Sequence, residues 1–428
     1  MSPQIVAALV LLVVFAIGTV RPVNLGALGL AAAAVVGPLL LGVGPKDVFA
    51  GFPGDLFVLV LGVTYLFAIA TVNGTVDWLV ERCTHLVGGR RALVPVVLFV
   101  AAALVTSLGA LAPAAVAMLA PVGLRLARRY DVRAPLAALM IVFGATSGNF
   151  SPLNPLGAIV NGSVVRVGLP TGGLFLYAVS FAVNVLLGVA VYVLVGGRAL
   201  LRAPAQPVAV GAGAGGGGGS ADEVDEPARD ANPVVRSVTL AVLLAVAVLA
   251  LGFGLDVGTC ALVAAVLLTL AMPAYIAEAV TLISWSVILL ICGIVTYVAL
   301  LQKTGTLDQI GHGIAGIASP LLAIVLICFI GGLTSAFASS AGILAAMVPL
   351  LAPVIAASGA AAIPIITALA ICVTIVDAAP FSSVGALVTT NAPADERAAV
   401  HTTLLRWCAA MVVTGPIVTG LLLVLPAF

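Results

Sequence analysis

The chain has 428 residues, 63% hydrophobic and only 8% charged, with a formal net charge of +1 and a mean hydropathy of +1.30. A soluble domain carries about 25% charged residues, so this composition specifies an integral membrane protein. Its near-neutral charge leaves no electrostatic footprint for nucleic acid. The 6 cysteines form no CxxC pair and the 3 histidines are scattered, which indicates neither a metal site nor a disulfide framework.

Apolar runs approaching twenty residues predict membrane helices rather than the alternating ten-residue segments of a barrel. The first, 4–20, has no basic n-region and no A-x-A site, so it is expected to be a retained helix. Runs at 25–43 and 55–72 follow, then an interrupted segment at 93–124, a broken one at 135–160 and a last run at 171–197. Composition then changes. Ala203 to Arg236 holds the unbroken run Gly215–Gly219 followed by an acidic cluster at 222–230, and reads as a solvated linker. Beyond it come 237–254, 257–275, 284–301, an interrupted 318–357, a broken 361–388 and 403–426. The fold expected is an all-α polytopic membrane protein of two repeats, 1–202 and 237–428, joined by the linker 203–236. Each repeat has about five transmembrane helices, one re-entrant hairpin and one broken helix.

The repeat is visible in polar residues. Shifting Gly144–Val160 by 228 residues gives Cys372–Val388, with Thr146/Thr374, Pro152/Pro380, Gly157/Gly385, Ala158/Ala386 and Val160/Val388 identical, and Asn149 facing Asp377. The same shift relates Thr106-Ser107 and Pro121 to Thr334-Ser335 and Pro349, and Asn73-Gly-Thr-Val-Asp77 resembles Thr304-Gly-Thr-Leu-Asp308. Asp77 and Asp308 are expected to cap helices at an interface. With five crossings per half, fourteen arginines gather on one face against Lys46, Arg166 and Lys303 on the other. The positive-inside rule then puts the linker in the cytoplasm and both termini outside. Five is odd, so the second half is inverted.

The chemistry concentrates at the breaks. Gly144–Val160 carries two prolines, three glycines and two asparagines, and a membrane helix cannot keep its hydrogen bonds through such a sequence. Irregular backbone is tolerated at bilayer depth only where protein covers it or a cavity adjoins it, and a broken helix points to a transporter binding site. Substrate contacts are expected from Thr106, Ser107, Ser151, Asn154, Ser339, Ser340, Ser382 and Ser383, and cation binding or coupling from Thr146, Asn149, Thr374 and Asp377. Oxygen-rich side chains suit a hard cation such as Na⁺, and half-helix N-termini suit an anion. The competing reading for each hydroxyl is back-bonding within its own helix or helix packing. Asp377 is singled out because an intramembrane carboxylate is expensive and functional by default. No Arg or Lys is predicted within the membrane.

Arg21-Pro-Val-Asn24, Phe49-Ala-Gly-Phe-Pro-Gly-Asp-Leu-Phe57, Thr64-Tyr-Leu-Phe67 and Asn73-Gly-Thr-Val-Asp-Trp-Leu79 resemble the amino-terminal region of the malonate/dicarboxylate carrier (MatC-like) family, over roughly residues 1–150. The hairpin and broken helix in each half resemble the divalent anion/sodium symporters of the ion transporter superfamily. The resemblance implies a secondary carrier of small carboxylates, often a homodimer with an elevator-like motion and commonly Na⁺-coupled. Where those symporters read Thr-Pro-Pro-Asn in the broken helix, this chain has Ser151-Pro152-Leu153-Asn154 and Ala379-Pro380-Phe381-Ser382. Their hairpin Ser-Asn-Thr is replaced by Leu111-Ala112-Pro113, and by Ser339-Ser340-Ala341 in the second half.

The reading is a bacterial plasma-membrane secondary transporter of a small carboxylate, a dicarboxylate such as malonate being favoured. It works by alternating access coupled to Na⁺ or H⁺, with no other cofactor. The alternatives are a carrier of another organic or inorganic anion, and a channel or scaffold; a channel requires a continuous polar stripe, whereas here the polar residues gather at two breaks. An ATP-driven pump lacks its Walker-type loop, and an intramembrane enzyme lacks a metal set or Ser/His pair at depth. Single cysteines at Leu111 and Ser340 are expected to react with impermeant reagents from opposite sides of the membrane; labelling from one side would sink the inverted arrangement.

Overall fold

The computed structural model describes residues 3–21, 23–85, 90–202, 233–253, 255–306, 319–337 and 339–428. All regular structure among them is helical. The first half comprises α1 (Pro3–Val20), α2 (Leu25–Leu40), α3 (Pro45–Phe49), α4 (Gly54–Val72), α5 (Thr75–His85), α6 (Val94–Ser107), α7 (Ala112–Arg129), α8 (Ala134–Ser147), α9 (Pro155–Arg166), α10 (Gly173–Leu194) and α11 (Gly197–Arg202). The second comprises α12 (Pro233–Phe253), α13 (Val257–Ala271), α14 (Ile276–Leu282), α15 (Trp285–Lys303), α16 (Pro320–Ser335), α17 (Ser340–Ser358), α18 (Ala362–Thr374), α19 (Ser383–Asn391) and α20 (Arg397–Thr419). Most of the expected linker, 203–232, and Asp308 lie outside the described residues. Pro233–Arg236, assigned to the linker from composition, already form the first turn of α12.

Among the described residues, six helical segments are long and apolar enough to cross a membrane, and a seventh if α13 and the segment Pro273–Leu282, bent by 108°, form one span. The chain is a multi-pass membrane protein. Prolines mark where helices begin: Pro113, Pro135, Pro155 and Pro320 all stand in first turns, where the missing N–H would have had no intrahelical partner. The α6 arm has 14 residues, about 21 Å at 1.5 Å per residue, which is short of a bilayer core of about 30 Å. Asp77 does not cap α5. Asn73 does, accepting from the Thr75 N–H (3.1 Å) and hydroxyl (2.6 Å) while its amide donates to Thr239 of α12 (2.8 Å). Asp77 lies exposed in the first turn, near the positive end of the helix dipole.

The two halves pack on one another reciprocally. α2 lies on α15 as α4 lies on α13; α7 meets α19 as α9 meets α17; α10 meets α18 as α8 meets α20. The first two crossings are made at glycines. Gly26 and Gly258 are each the second residue of their helices, and Gly62 and Gly293 the ninth. A Cβ on Gly26 would lie 1.9 Å from the Leu289 carbonyl oxygen, and one on Gly293 1.8 Å from the Gly26 oxygen. On Gly62 it would lie 2.6 Å from the Gly258 oxygen, and on Gly258 2.4 Å from the Leu59 Cα. In lipid, where apolar side chains gain little by meeting one another, close backbone approach at small residues is what joins helices.

The obstacle at these glycines is backbone, which no side-chain rotation relieves. Gly26→Ala and Gly258→Ala are each expected to destabilise the purified protein by about 1–3 kcal/mol, as overpacking does. Gly54→Ala, whose Cβ meets nothing within 4 Å, is the control. Thermal melting in detergent checks this, and equal melting of all three variants would refute it.

Candidate functional site

The first break runs from Gly148 to Asn154, between α8 and α9, against the α6–α7 turn. Gly148 permits the contact, since a Cβ there would lie 2.1 Å from the Thr106 hydroxyl oxygen and 2.5 Å from the Ser107 nitrogen. Asn154, fully buried, closes the two segments together. Its amide nitrogen donates to the Thr106 carbonyl (2.9 Å) and the Ala110 carbonyl (2.7 Å), and its oxygen accepts from the Leu156 N–H (2.9 Å). Both amide hydrogens are engaged. The Ser151 hydroxyl donates to the Ser107 carbonyl (2.6 Å), and the Gly157 N–H donates to the Asn149 carbonyl (3.0 Å). A helix interruption at membrane depth is thus closed by named donors, as the absence of water there demands.

The hydroxyls of this half are also engaged. Thr106 back-bonds to Ala102 (2.9 Å), Thr146 donates to the Asn184 carboxamide oxygen (2.7 Å), and Ser107 shares a hydrogen bond with the Tyr177 hydroxyl (3.1 Å). Asn149 differs. It is only 2% exposed, yet its side chain makes no hydrogen bond to any described residue. Its amide is not among the described polar atoms that are sealed from solvent without a partner, so it keeps a path to the surface.

The second break runs from Ile375 to Ser382. Its first four residues form a 3₁₀ turn that packs against α16, α19, α20 and, from the other half, α8. The Ser382 hydroxyl donates to the Asp377 carbonyl (2.6 Å) and accepts from the Gly385 N–H (3.0 Å), capping α19. Thr374 back-bonds to Ala370 (2.9 Å). Asp377 is 7% exposed. One of its oxygens accepts from the Ser340 hydroxyl (2.5 Å), which contacts the Ser335 hydroxyl in turn (3.0 Å). No cationic side chain among the described residues pairs with it. A buried carboxylate without a counter-charge must bind a proton or a small cation. Ser339 and Ser383 are exposed, and Phe337 and Phe381 beside them stack at 5.8 Å, joining the α16–α17 turn to the break.

The predicted residues therefore divide. Asn154, Ser151 and Ser382 hold backbone, Thr106 and Thr374 hold their own helices, and Thr146 and Ser107 hold α10. Ser340 is engaged with Asp377 and Ser335; Asn149, the second Asp377 oxygen, Ser339 and Ser383 keep polar atoms without a partner among the described residues. Tyr177 and Asn184, on α10, escaped the sequence reading. A signal was present, because Leu176, Ser180, Asn184, Gly188 and Val191 form one buried stripe at the spacing of a helix face.

Residues 1–149 match the family model for the dicarboxylate carrier protein MatC N-terminus, the region where the motifs pointed to that family. The whole chain is similar in fold to the Alcanivorax borkumensis YdaH transporter, whose crystal structure has an unusual topology. The TM-score is 0.59 at 13% identity, covering 100% of this chain and 99% of that one. At that identity the likeness is one of fold. No curated protein matches the chain.

Asn154→Ala strands the Ala110 carbonyl, at a cost of about 1–3 kcal/mol, and leaves the Thr106 carbonyl with the Gly109 N–H. Its melting temperature is expected to fall clearly, whereas Asn149→Ala, which breaks no hydrogen bond, is expected to melt like the parent. Equal melting of Asn154→Ala and the parent would show that the clasp carries no stability.

Proposed function

We propose that the chain is a secondary transporter of a small carboxylate, a dicarboxylate such as malonate being favoured, driven by Na⁺ or H⁺. The observation that carries this reading is the pair Asn149 and Asp377. They stand at equivalent places in two broken helices; among the described residues the Asn149 amide has no hydrogen-bond partner and the buried Asp377 carboxylate no cationic one. In this reading Asp377, with the Ser340 hydroxyl beside it, holds the coupling cation or proton. The substrate carboxylates are met by the Asn149 amide, the exposed Ser339 and Ser383 hydroxyls, the N-terminal N–H groups of α17 and α19, and the bound cation itself. The match of residues 1–149 to a dicarboxylate carrier family supports the substrate class. The reciprocal packing of the two halves supports an inverted repeat, in which the two states of alternating access are related by exchanging the conformations of the halves. The chain is proposed to work as a homodimer in a bacterial inner membrane, with the linker cytoplasmic and both termini outside.

A channel is the poorer reading. Most polar side chains at the breaks are engaged with protein, and those left open lie at the two breaks rather than along a continuous stripe.

Purified protein in proteoliposomes, offered labelled mono- and dicarboxylates with and without a Na⁺ gradient, is expected to accumulate a dicarboxylate in response to a cation gradient. Asp377→Asn is expected to lower gradient-driven uptake at least about tenfold, the equivalent of 1.4 kcal/mol, and to flatten the dependence on Na⁺ or pH. Unchanged Na⁺ and pH profiles in that variant would remove Asp377 from coupling.

A further inference from the structure

α5 follows the spanning helix α4 after Asn73 and Gly74 and is amphipathic. Val76, Val80 and Cys83 are buried along one side, while Asp77, Glu81 and Arg82 are exposed. Half-buried between them is Trp78, which carries two guanidinium groups. The guanidinium carbon of Arg82 lies 5.9 Å from the centre of the indole, and that of Arg236, on α12, 4.3 Å. Both are within the roughly 6 Å at which a ring face attracts a cation. The hydrogen bond from the Asn73 amide to Thr239, three residues beyond Arg236, fixes the two helices in this register.

Neither arginine is neutralised. Arg91, Arg128, Arg166 and Lys303 each meet an aspartate. Arg82 and Arg236 form no ion pair or side-chain hydrogen bond with any described residue, Asp77 and Glu81 of the same helix included. An indole attracts the charge of a guanidinium and leaves its in-plane N–H donors for a hydrogen-bond acceptor.

The surroundings narrow what that acceptor is. Arg236 stands in the first turn of α12, where the polar linker sequence gives way to apolar helix. Stepping by four residues from it, which keeps to neighbouring positions on a helix surface, gives Leu240, half-buried, then Leu244 and Val248, both exposed. A row that starts with a cation beside a tryptophan and continues as exposed aliphatic side chains has the profile of a membrane interface. An anion with hydrocarbon attached fits both parts of it, whereas a free anion gains nothing from Leu244 and Val248. Basic side chains between helices at a membrane surface are where anionic headgroups bind.

We propose that Trp78, Arg82 and Arg236 form a binding site for an anionic phospholipid, whose phosphate accepts from the two guanidiniums while an acyl chain lies along α12 at Leu244 and Val248. The indole holds both cations in place for it. The site uses no residue of either break and does not draw on the transport reading.

The test takes the full-length protein, stripped of lipid in a neutral detergent, and follows its thermal melting on titration with dioleoylphosphatidylglycerol, dioleoylphosphatidylcholine or inorganic phosphate. A lipid bound to the folded state raises the melting temperature by mass action. Phosphatidylglycerol is expected to raise it saturably, and phosphatidylcholine and phosphate to leave it in place. Arg82→Gln and Arg236→Gln are each expected to increase the phosphatidylglycerol concentration giving half the shift about tenfold, as loss of a hydrogen bond to a charged group does. The double variant is expected to lose the shift. Arg125→Gln removes another exposed arginine of the same expected face and is expected to behave as the parent. The proposal is overturned if phosphatidylcholine or phosphate reproduces the shift, or if the double variant keeps it. It is equally overturned if Arg125→Gln weakens the shift as much as Arg236→Gln does, since the attraction would then be diffuse. Should the double variant fail to fold, the two single variants decide, and unchanged half-shift concentrations in both would refute the site.

Discussion

A peptide group inside a bilayer has no water to turn to, so every departure from helix must be closed by the protein itself. The two interruptions here meet that constraint by different means. At Gly148–Asn154 a single carboxamide bridges two carbonyls of the facing turn, tying the hairpin to the broken helix. At Ile375–Ser382 the closure is local, a serine hydroxyl turning back on the carbonyl of Asp377. The first break is thereby fastened to its hairpin through backbone. The second touches its hairpin through side chains, Ser340 on Asp377 and Phe337 on Phe381. A contact made through an ionisable side chain and an exposed aromatic pair can be remade when a ligand arrives. One made by an amide bridging two buried carbonyls is far harder to exchange.

The equivalent positions also carry different chemistry, a neutral amide at 149 and a carboxylate at 377. The frame of α2, α4, α13 and α15, joined by glycine crossings, leaves that centre to the helices between and around the breaks.

Much of the architecture was legible because it rests on local constraints. Proline and glycine in apolar runs located both breaks, and the residues recurring at a fixed shift fall in helices that pack on one another reciprocally. What stayed hidden was the direction in which each polar side chain points. Asn154 and Asn149 lie in one short stretch and look alike as residues, yet the partners that engage Asn154, Thr106 and Ala110, lie more than forty residues earlier. No local pattern records that pairing. Asp77 was taken for a cap because acidic residues favour helix starts, but Asn73 already occupied that role. Arg166 was counted as a charge that reports topology. Its pairing with Asp55 in the first turn of α4 shows only in the packed structure.

The glycine crossings also bear on the order in which the molecule is made. Gly62 of α4 finds its partner only at Gly258, and Gly26 of α2 only at Gly293, so neither half contains the helix that fits its own grooves. Leaving the ribosome, the amino-terminal half must wait in the bilayer with two helices unmated, their small-residue faces covered by lipid alone. The finished protein is thus closer to two interlocked combs than to two bodies in contact, and its assembly in the membrane ends only when the last of those grooves is filled.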